Sequence, residues 1–174
     1  DPGQFLGPEG PVARRLNGYE TRPQQIHMAQ AIDEAFHESH HLIAEAGTGV
    51  GKSFAYIIPA VSWAVKNKKK VVLSTYTISL QEQLIEKDIP FIRETSGLEF
   101  TASLAKGRSN YLCWRRMEQA LKRGPTLFDD NDHVGRLEEI QHWSLQTQDG
   151  SRSDLPLVPP WEVWEAVCSD SNTC

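Results

Sequence analysis

The sequence predicts an α/β fold in which a parallel β-sheet is flanked by helices. A short apolar run at residues 41–46 leads into a glycine-rich loop, and a helical pattern follows from about Lys52 to Val65. A second apolar run, residues 70–75, is again followed by a helical pattern. Strands that alternate with helices are typical of a parallel sheet with helices on its faces.

Further elements precede and follow this central part. Residues 1–18 are rich in glycine and proline and have no apolar period, so we expect an extended lead-in. Pro23 has the position favoured at a helix start, and an apolar helical face follows it. Ser79 and Glu82 have the spacing of a capping box, which predicts another helix. Residues 100–104 predict a third strand.

Composition and cysteine content limit the class of protein. With 39% hydrophobic and 24% charged residues in 174 positions, no apolar run approaches the roughly 18 residues of a membrane span. The first residues show no secretory signal. Three cysteines, an odd number, argue against a closed set of disulfides. We therefore expect a soluble protein of the cytoplasm that does not bind a membrane.

Charge is divided unevenly along the chain, although the net charge of −5 by itself speaks against a nucleic-acid binder. Residues 66–123 hold 12 lysine and arginine residues against 6 acidic residues, whereas residues 129–170 hold 10 acidic residues against two arginines. A local basic block can follow a phosphate backbone even in an acidic protein. For the lysine run at residues 68–70, a solvated loop is the alternative.

Residues 46–53 (Ala-Gly-Thr-Gly-Val-Gly-Lys-Ser) have the spacing of a Walker A phosphate-binding loop, with alanine at its usual first glycine. Glycines let backbone N–H groups turn toward phosphates, and the following helix N-terminus adds partial positive charge. Lys52 is expected to reach the β- and γ-phosphates, and the Ser53 hydroxyl to bind Mg²⁺. The alternative is an incidental glycine-rich turn. The predicted site for ATP and Mg²⁺ consists of Gly47, Thr48, Gly49, Val50, Gly51, Lys52 and Ser53.

Gln25 lies upstream of this loop and suggests how a base could be recognised. Its amide offers a donor and an acceptor at the spacing of N6 and N7 of adenine. Gln25 could therefore select ATP, but a glutamine at a helix start is usually solvated or a cap. The assignment needs support from other motifs.

Four motifs follow one another along the chain and give that support. They are Arg22-Pro23-x-Gln25, the loop at residues 46–53, residues 74–83 (Ser-Thr-Tyr-Thr-Ile-Ser-Leu-Gln-Glu-Gln), and residues 106–113 (Lys-Gly-Arg-Ser-Asn-Tyr-Leu-Cys). Over about residues 19–174 the chain resembles the DinG/XPD branch of superfamily 2 helicases, above all bacterial DinG-type proteins. The resemblance implies an ATP-dependent 5′-to-3′ DNA helicase with a [4Fe–4S] cluster, in which Gln25 recognises adenine.

The resemblance also implies a division of the chain. Residues 19–105 would form the N-terminal part of a first RecA-like ATP-binding lobe, a parallel sheet with flanking helices. Residues 106–174 would form an incomplete, mostly helical iron–sulfur insertion. The acidic motif that activates water in such helicases has no counterpart in this sequence, and neither has the second lobe. We therefore assign no catalytic residue and expect a fragment or a shortened gene product.

Two groups of residues are implied to contact single-stranded DNA. Thr75, Thr77 and Ser79 would lie at a strand end and a helix N-terminus, where hydroxyl and N–H groups can bind a phosphate. A helix cap without a ligand is the alternative. Near residue 113, charge that pairs with phosphate is combined with stacking surface. That second group consists of Arg108, Tyr111, Trp114, Arg115 and Arg116, whereas Trp143, Trp161 and Trp164 are expected to be core.

The three cysteines, Cys113, Cys168 and Cys174, are separated by 54 and 5 residues. Zinc sites usually pair cysteines two to four residues apart, so zinc is the weaker metal, and unrelated thiols are a further alternative. The resemblance implies that these thiolates are three of the four ligands of the [4Fe–4S] cluster. His133 or His142 could supply the fourth ligand, but iron–sulfur clusters are usually bound by cysteine thiolates and not by histidine.

Two functions therefore remain open. The first is a helicase fragment that binds ATP, Mg²⁺ and single-stranded DNA. The second is a non-catalytic remnant that keeps only nucleotide or partner binding. An unrelated P-loop kinase is disfavoured by residues 74–83 and by the cysteine pattern.

Overall fold

The computed structural model describes residues 1–128 and 130–171, which form two compact units. The first unit spans residues 1–104, and the second begins at Ala105. Each unit has its own hydrophobic core. Within the described ranges, no helix is both long enough and apolar enough to cross a bilayer.

The first unit begins with two short helices, α1 (Pro2–Phe5) and α2 (Pro11–Arg15). Each has a proline in its first turn, where the missing N–H costs no hydrogen bond. Leu6 and Val12 are completely buried in the core of this unit. Residues 1–18 were expected to be extended, and the structure differs because these apolar side chains pack and hold short helices in place.

Two long helices, α3 (Pro23–Glu38) and α4 (Lys52–Asn67), pack against each other at the centre of the first unit. Pro23 is the first residue of α3, which confirms the helix start predicted there. Ala29 of α3 and Ala55 of α4 are completely buried, and their small side chains allow close packing. This packing brings the start of α3 beside the loop that precedes α4.

The next helix, α5 (Ile78–Gln83), begins one residue before Ser79. Its N-cap is Thr77, whose hydroxyl accepts a hydrogen bond from the backbone N–H of Leu80 at 3.3 Å. The capping box predicted from Ser79 is therefore wrong. Thr77 has the extended backbone that an N-cap requires, whereas Ser79 already lies inside the helix.

A π-helical turn, Leu84–Asp88, connects α5 to α6 (Ile89–Ser96). Pro90 has no N–H, so the regular helical hydrogen-bond pattern cannot continue through it, and the wider turn precedes it. Gly97 ends α6 in the left-handed conformation with φ of 65°. The buried Ile92 joins the helix to the core.

The predicted parallel sheet is wrong for the described residues. These contain no β-strand, so the α/β class with a RecA-like sheet is not what the structure has. Their only β-type pairings are two isolated antiparallel bridges in the second unit, Tyr111–Ser151 and Leu112–Cys168. The first unit is instead helical, with segments of no regular secondary structure between its helices.

The physical reason lies in the runs that predicted strands, residues 41–46, 70–75 and 100–104. A strand is stable only when a neighbouring strand accepts and donates its backbone hydrogen bonds, and none of the described residues pairs with these runs in a ladder. Ile43 and Val72 of the first two runs are 99% and 87% exposed, whereas Phe100 of the third run is partly buried against the core. The runs therefore have no regular secondary structure and no strand partner among the described residues.

The described residues of the second unit form three helices, α7 (Trp114–Leu127), α8 (Asn131–Ser144) and α9 (Trp161–Val167). Short 3₁₀ turns lie at Arg108–Asn110 and Arg152–Asp154. All three helices contribute to one core.

Trp143 and Trp164 belong to that core, which confirms the prediction for these two residues. The prediction is wrong for Trp161, which is 51% exposed. The guanidinium of Arg152 lies 5.6 Å from the centroid of the Trp161 ring and 5.7 Å from that of Trp164. A partly exposed tryptophan covered by a cation needs no place in the core.

Candidate functional site

The glycine-rich loop lies directly before α4. Gly49 and Gly51 have φ of 78° and 81°, which only glycine adopts at little cost. Gly51 is the N-cap of α4 and provides no side-chain cap, so the first N–H groups of the helix lie at the loop. The other predicted loop residues, Gly47, Thr48 and Val50, are exposed or partly exposed.

Lys52 folds back across this loop. Its Nζ atom donates hydrogen bonds to the carbonyl oxygens of Ala46, at 2.9 Å, and Gly47, at 2.7 Å. The ammonium group is therefore held beside the N-terminus of α4, where partial positive charge is already concentrated. Ser53, the next residue, shares a side-chain hydrogen bond with Tyr56 about one turn further along α4, and burial raises the pKa of the Tyr56 hydroxyl.

Two residues at the start of α3 bind carbonyl groups of the loop. Nη1 of Arg22 donates to the carbonyl oxygen of Gly49 at 2.6 Å, and Nε2 of Gln25 donates to that of Gly51 at 2.8 Å. Gln25 is only 3% exposed, so it is neither a solvated glutamine nor a simple helix cap. A cavity of about 270 Å³ adjoins Gln25 and Gly51. Its other lining residues are Leu16, Asn17, Gly18, Tyr19, Glu20, Arg22 and Phe54.

The structure thus brings together Gln25, Gly49, Gly51 and Lys52, which the sequence placed in one site. Sequence reasoning did not give Arg22 or Tyr19 a role there. The only sequence signal for Arg22 was its place in the motif that also contains Gln25. Nothing in the sequence shows that a residue at position 19 would contact this amide.

The residues expected to contact DNA in the first unit lie around the start of α5. The Thr75 hydroxyl donates to the carbonyl oxygen of Thr77 at 3.3 Å. The Thr77 hydroxyl caps the helix, and Ser79 is exposed in its first turn. The three hydroxyl groups therefore belong to one short segment, in which two of them already have local hydrogen bonds.

Two of the three cysteines are neighbours in the second unit. The bridge between Leu112 and Cys168 is continued by a hydrogen bond from the backbone N–H of Cys113 to the carbonyl oxygen of Val167 at 2.8 Å. Both cysteines are free thiols. The third predicted ligand, Cys174, lies outside the described residues.

The environments of the two thiols differ. Cys113 is partly exposed and directly precedes α7. Cys168 is 5% exposed, and burial raises the pKa of its thiol, while the charge of Arg116 opposes that rise. Among the residues that the structure describes, no group of three or more potential metal ligands is assembled. His133 and His142, the alternative ligands, therefore belong to no such group.

Arg116 holds the segment that carries Cys168. Its guanidinium donates to the carbonyl oxygens of Glu165, at 2.6 Å, and Ala166, at 3.4 Å, and it pairs with the Asp170 carboxylate at 3.2 Å. The sequence grouped Arg116 with residues that pair with phosphate, but the structure uses it to position the end of α9. Arg108 and Arg115 are exposed on the same unit.

Comparisons with known proteins agree with the motif order. A family model described as DEAD/DEAH box helicase matches residues 22–125, more than half of the chain. The ATP-dependent DNA helicase YoaA of Escherichia coli (strain K12) is 36% identical over 173 residues, which cover 97% of this chain and 26% of that protein. The 3'-5' exonuclease DinG of Bacillus subtilis (strain 168) is 34% identical over 169 residues, which cover 96% of this chain and 18% of that protein.

A third relative, the ATP-dependent DNA helicase DinG of Photobacterium profundum, is 34% identical over 94% of this chain and 24% of its own length. The chain thus spans about a quarter or less of these three relatives. Because the family model covers most of the loop-bearing unit, the chain belongs to the DEAD/DEAH box helicase family, in the branch of the DinG and YoaA proteins.

Proposed function

We propose that this chain provides the nucleotide site of an ATP-dependent DNA helicase and binds ATP with Mg²⁺ at residues 46–53. The observation that carries the proposal is the position of Lys52, whose ammonium is held over the loop at the N-terminus of α4. Relatives that cover almost the whole chain have helicase names, which supports the activity of the full protein. That activity depends on parts of the relatives that this chain does not span.

The proposed roles follow from the charges and donors at the loop. The N–H groups at the start of α4 and the ammonium of Lys52 stabilise the phosphates, and the Ser53 hydroxyl binds Mg²⁺. Lys52 exchanges its carbonyl partners for phosphate oxygens, which form stronger, charge-assisted hydrogen bonds. Gln25 borders the adjoining cavity, where its amide recognises adenine.

Single-stranded DNA is the proposed second ligand, with movement of the full protein in the 5′-to-3′ direction. In the first unit, Thr75, Thr77 and Ser79 offer hydroxyl groups to a phosphate, and the segment is exposed at Thr77 and Ser79. In the second unit, Arg108 and Arg115 offer exposed positive charge.

An iron–sulfur cluster is the proposed cofactor of the second unit. The adjacency of Cys113 and Cys168 fits thiolate ligation, because two free thiols on neighbouring backbone segments can bind one cluster. Cys174 would be the third ligand. The cluster supplies a rigid cross-link between segments distant in sequence, while Arg116 orients the segment that carries Cys168. Free thiols also support the proposed cytoplasmic location, which is a reducing compartment.

The alternative function, binding without turnover, is proposed for the chain taken by itself. Its sequence has no acidic pair at the end of an apolar run after the loop, and such a pair activates water in related helicases. The chain then holds ATP but does not hydrolyse it.

Calorimetric titration with ATP and Mg²⁺ tests the nucleotide site. Lys52→Ala is expected to weaken binding by about 1–3 kcal/mol, the scale of a charge-assisted hydrogen bond. Lys66→Ala is the matched control, because Lys66 lies exposed in the last turn of the same helix and the charge change is identical. Equal ATP affinity for the Lys52 variant and the unmodified chain would refute the proposal.

A further inference from the structure

Tyr19 contacts the oxygen of the Gln25 amide, whose nitrogen donates to Gly51 of the glycine-rich loop. Its hydroxyl lies 3.2 Å from Oε1 of Gln25 and 2.8 Å from the carbonyl oxygen of Leu6. Both of these atoms are acceptors, so the Tyr19 hydroxyl is the donor and shares its single hydrogen between them. Burial raises the pKa of Tyr19, so the hydroxyl keeps that hydrogen at neutral pH.

The orientation of the Gln25 amide is therefore determined from two sides. Nε2 donates to the carbonyl oxygen of Gly51 at 2.8 Å. Rotating the amide by half a turn would place Oε1 against that carbonyl and Nε2 against the Tyr19 hydroxyl, which would lose the bond to Gly51. The close approach also requires glycine at position 51, because a Cβ atom there would overlap Nε2 of Gln25.

The two contacts leave a defined set of groups free on the amide. A glutamine amide has two N–H donors and two oxygen lone pairs, and Gly51 and Tyr19 use one of each. One donor and one acceptor remain, which is the set that adenine N7 and N6 require. Guanine presents two acceptors, O6 and N7, at the same edge, so an amide in this orientation would face O6 with its own oxygen.

Tyr19 and Gln25 also line the same cavity of about 270 Å³ beside the loop, together with Phe54. The hydrogen bond to Leu6 fixes Tyr19 to a completely buried residue of the N-terminal segment. The orientation of the amide is thus fixed by the part of the chain that precedes α3, and not only by the loop.

We propose that Tyr19 is a positioning residue that orients the Gln25 amide and so makes the site selective for adenine nucleotides over guanine nucleotides. The inference rests on the proposed nucleotide site at residues 46–53. It assigns to the N-terminal segment a role in choosing the base, while the loop and Lys52 bind the phosphates of any nucleotide.

The test compares ATP and GTP binding to the whole 174-residue chain without DNA, for the unmodified protein and for Tyr19→Phe. The substitution removes only the hydroxyl. The ratio of GTP to ATP dissociation constants is expected to fall about two- to fivefold, the scale of one shared hydrogen bond. GTP affinity is expected to stay nearly constant or to rise, because the freed amide can turn its N–H groups toward O6.

Tyr76→Phe is the matched control, since Tyr76 is fully exposed in the same unit, and its ratio is expected to remain unchanged. Gln25→Ala removes the amide altogether and gives the lowest ratio of GTP to ATP dissociation constants that loss of its orientation can produce. If Tyr19 had only a general structural role, Tyr19→Phe would weaken the binding of ATP and GTP equally and leave the ratio of their dissociation constants unchanged. That outcome overturns the proposal. If Gln25→Ala lowers the ratio while Tyr19→Phe does not, only the role of Tyr19 fails. If Lys52→Ala leaves ATP binding intact, the nucleotide site itself fails, and the inference with it.

Discussion

The packing of the second unit can be tested with one substitution at two tryptophans of α9. Trp164 is completely buried, and its indole N–H donates to the carbonyl oxygen of Ser109 at 2.7 Å. Trp161 is 51% exposed and contacts Arg152 through its ring. Replacing each in turn by phenylalanine makes the same chemical change in two different environments.

The expected cost of Trp164→Phe has two parts. The lost hydrogen bond contributes about 1 kcal/mol. The volume lost from a filled core contributes roughly another 1–2 kcal/mol. Trp161→Phe keeps a ring beneath Arg152 and loses no buried hydrogen bond, so its cost is expected to stay within about 0.5 kcal/mol. The free energy of unfolding of this unit should therefore fall by about 2–3 kcal/mol for the first variant only.

Cys168 provides a probe that neither substitution alters. It is 5% exposed, so a thiol reagent reaches it only when the second unit opens. Short labelling pulses across a urea series, followed by mass spectrometry of the Cys168 peptide, give the unfolding midpoint. With a urea dependence of about 1–2 kcal/mol per molar for a small unit, Trp164→Phe should lower the midpoint by roughly 1–3 M.

Equal midpoint shifts for the two variants would refute this reasoning, because they would show that the environments of Trp161 and Trp164 do not differ. A shift for Trp161→Phe alone would show that the burial of the two residues is reversed.

Three further predictions concern turnover, iron and pH. The purified chain should release no phosphate from ATP with or without DNA, and release that disappears in Lys52→Ala would contradict this. After anaerobic reconstitution, Cys113→Ser and Cys168→Ser should each retain less iron than the unmodified chain, whereas His142→Ala should retain as much; full iron in either serine variant would remove that cysteine from the site. Burial raises the pKa of Tyr19 above its usual value of 10.0, so the folded chain keeps a proton that the unfolded chain loses. This contribution is fully present below the usual pKa of 10.0 and is lost as the pH rises above it, so the free energy of unfolding of the first unit should fall as the pH rises above about 10. The fall should be smaller in Tyr19→Phe, and an identical fall would contradict the assignment.

Local signals in the sequence were sufficient for features that depend on neighbouring residues. Pro23 begins a helix because its fixed φ and missing N–H suit a first turn. The glycines before Lys52 form a loop because Gly49 and Gly51 adopt the left-handed conformation that other residues avoid. The motif order was sufficient for the family, which the comparisons show.

Other features required information that no local pattern carries. Gln25 and Tyr19 are only six residues apart, but their contact with Leu6 and Gly51 depends on how α3 packs against α4. The choice of Thr77 over Ser79 as a cap depended on backbone conformation. In the same way, the side-by-side arrangement of Cys113 and Cys168 results from a backbone bridge between residues far apart in sequence.

The sheet is the clearest case of this difference. The sequence by itself determined that a helix begins at Pro23 and that the chain turns at Gly49 and Gly51, because each property depends on a few adjacent residues. Which residues bind phosphate stays a prediction. A helix completes its hydrogen bonds within its own segment, but a strand depends on a second segment. Only the tertiary structure could decide that residues 41–46 and 70–75 have no paired neighbour among the described residues, and that Ile43 and Val72 remain exposed.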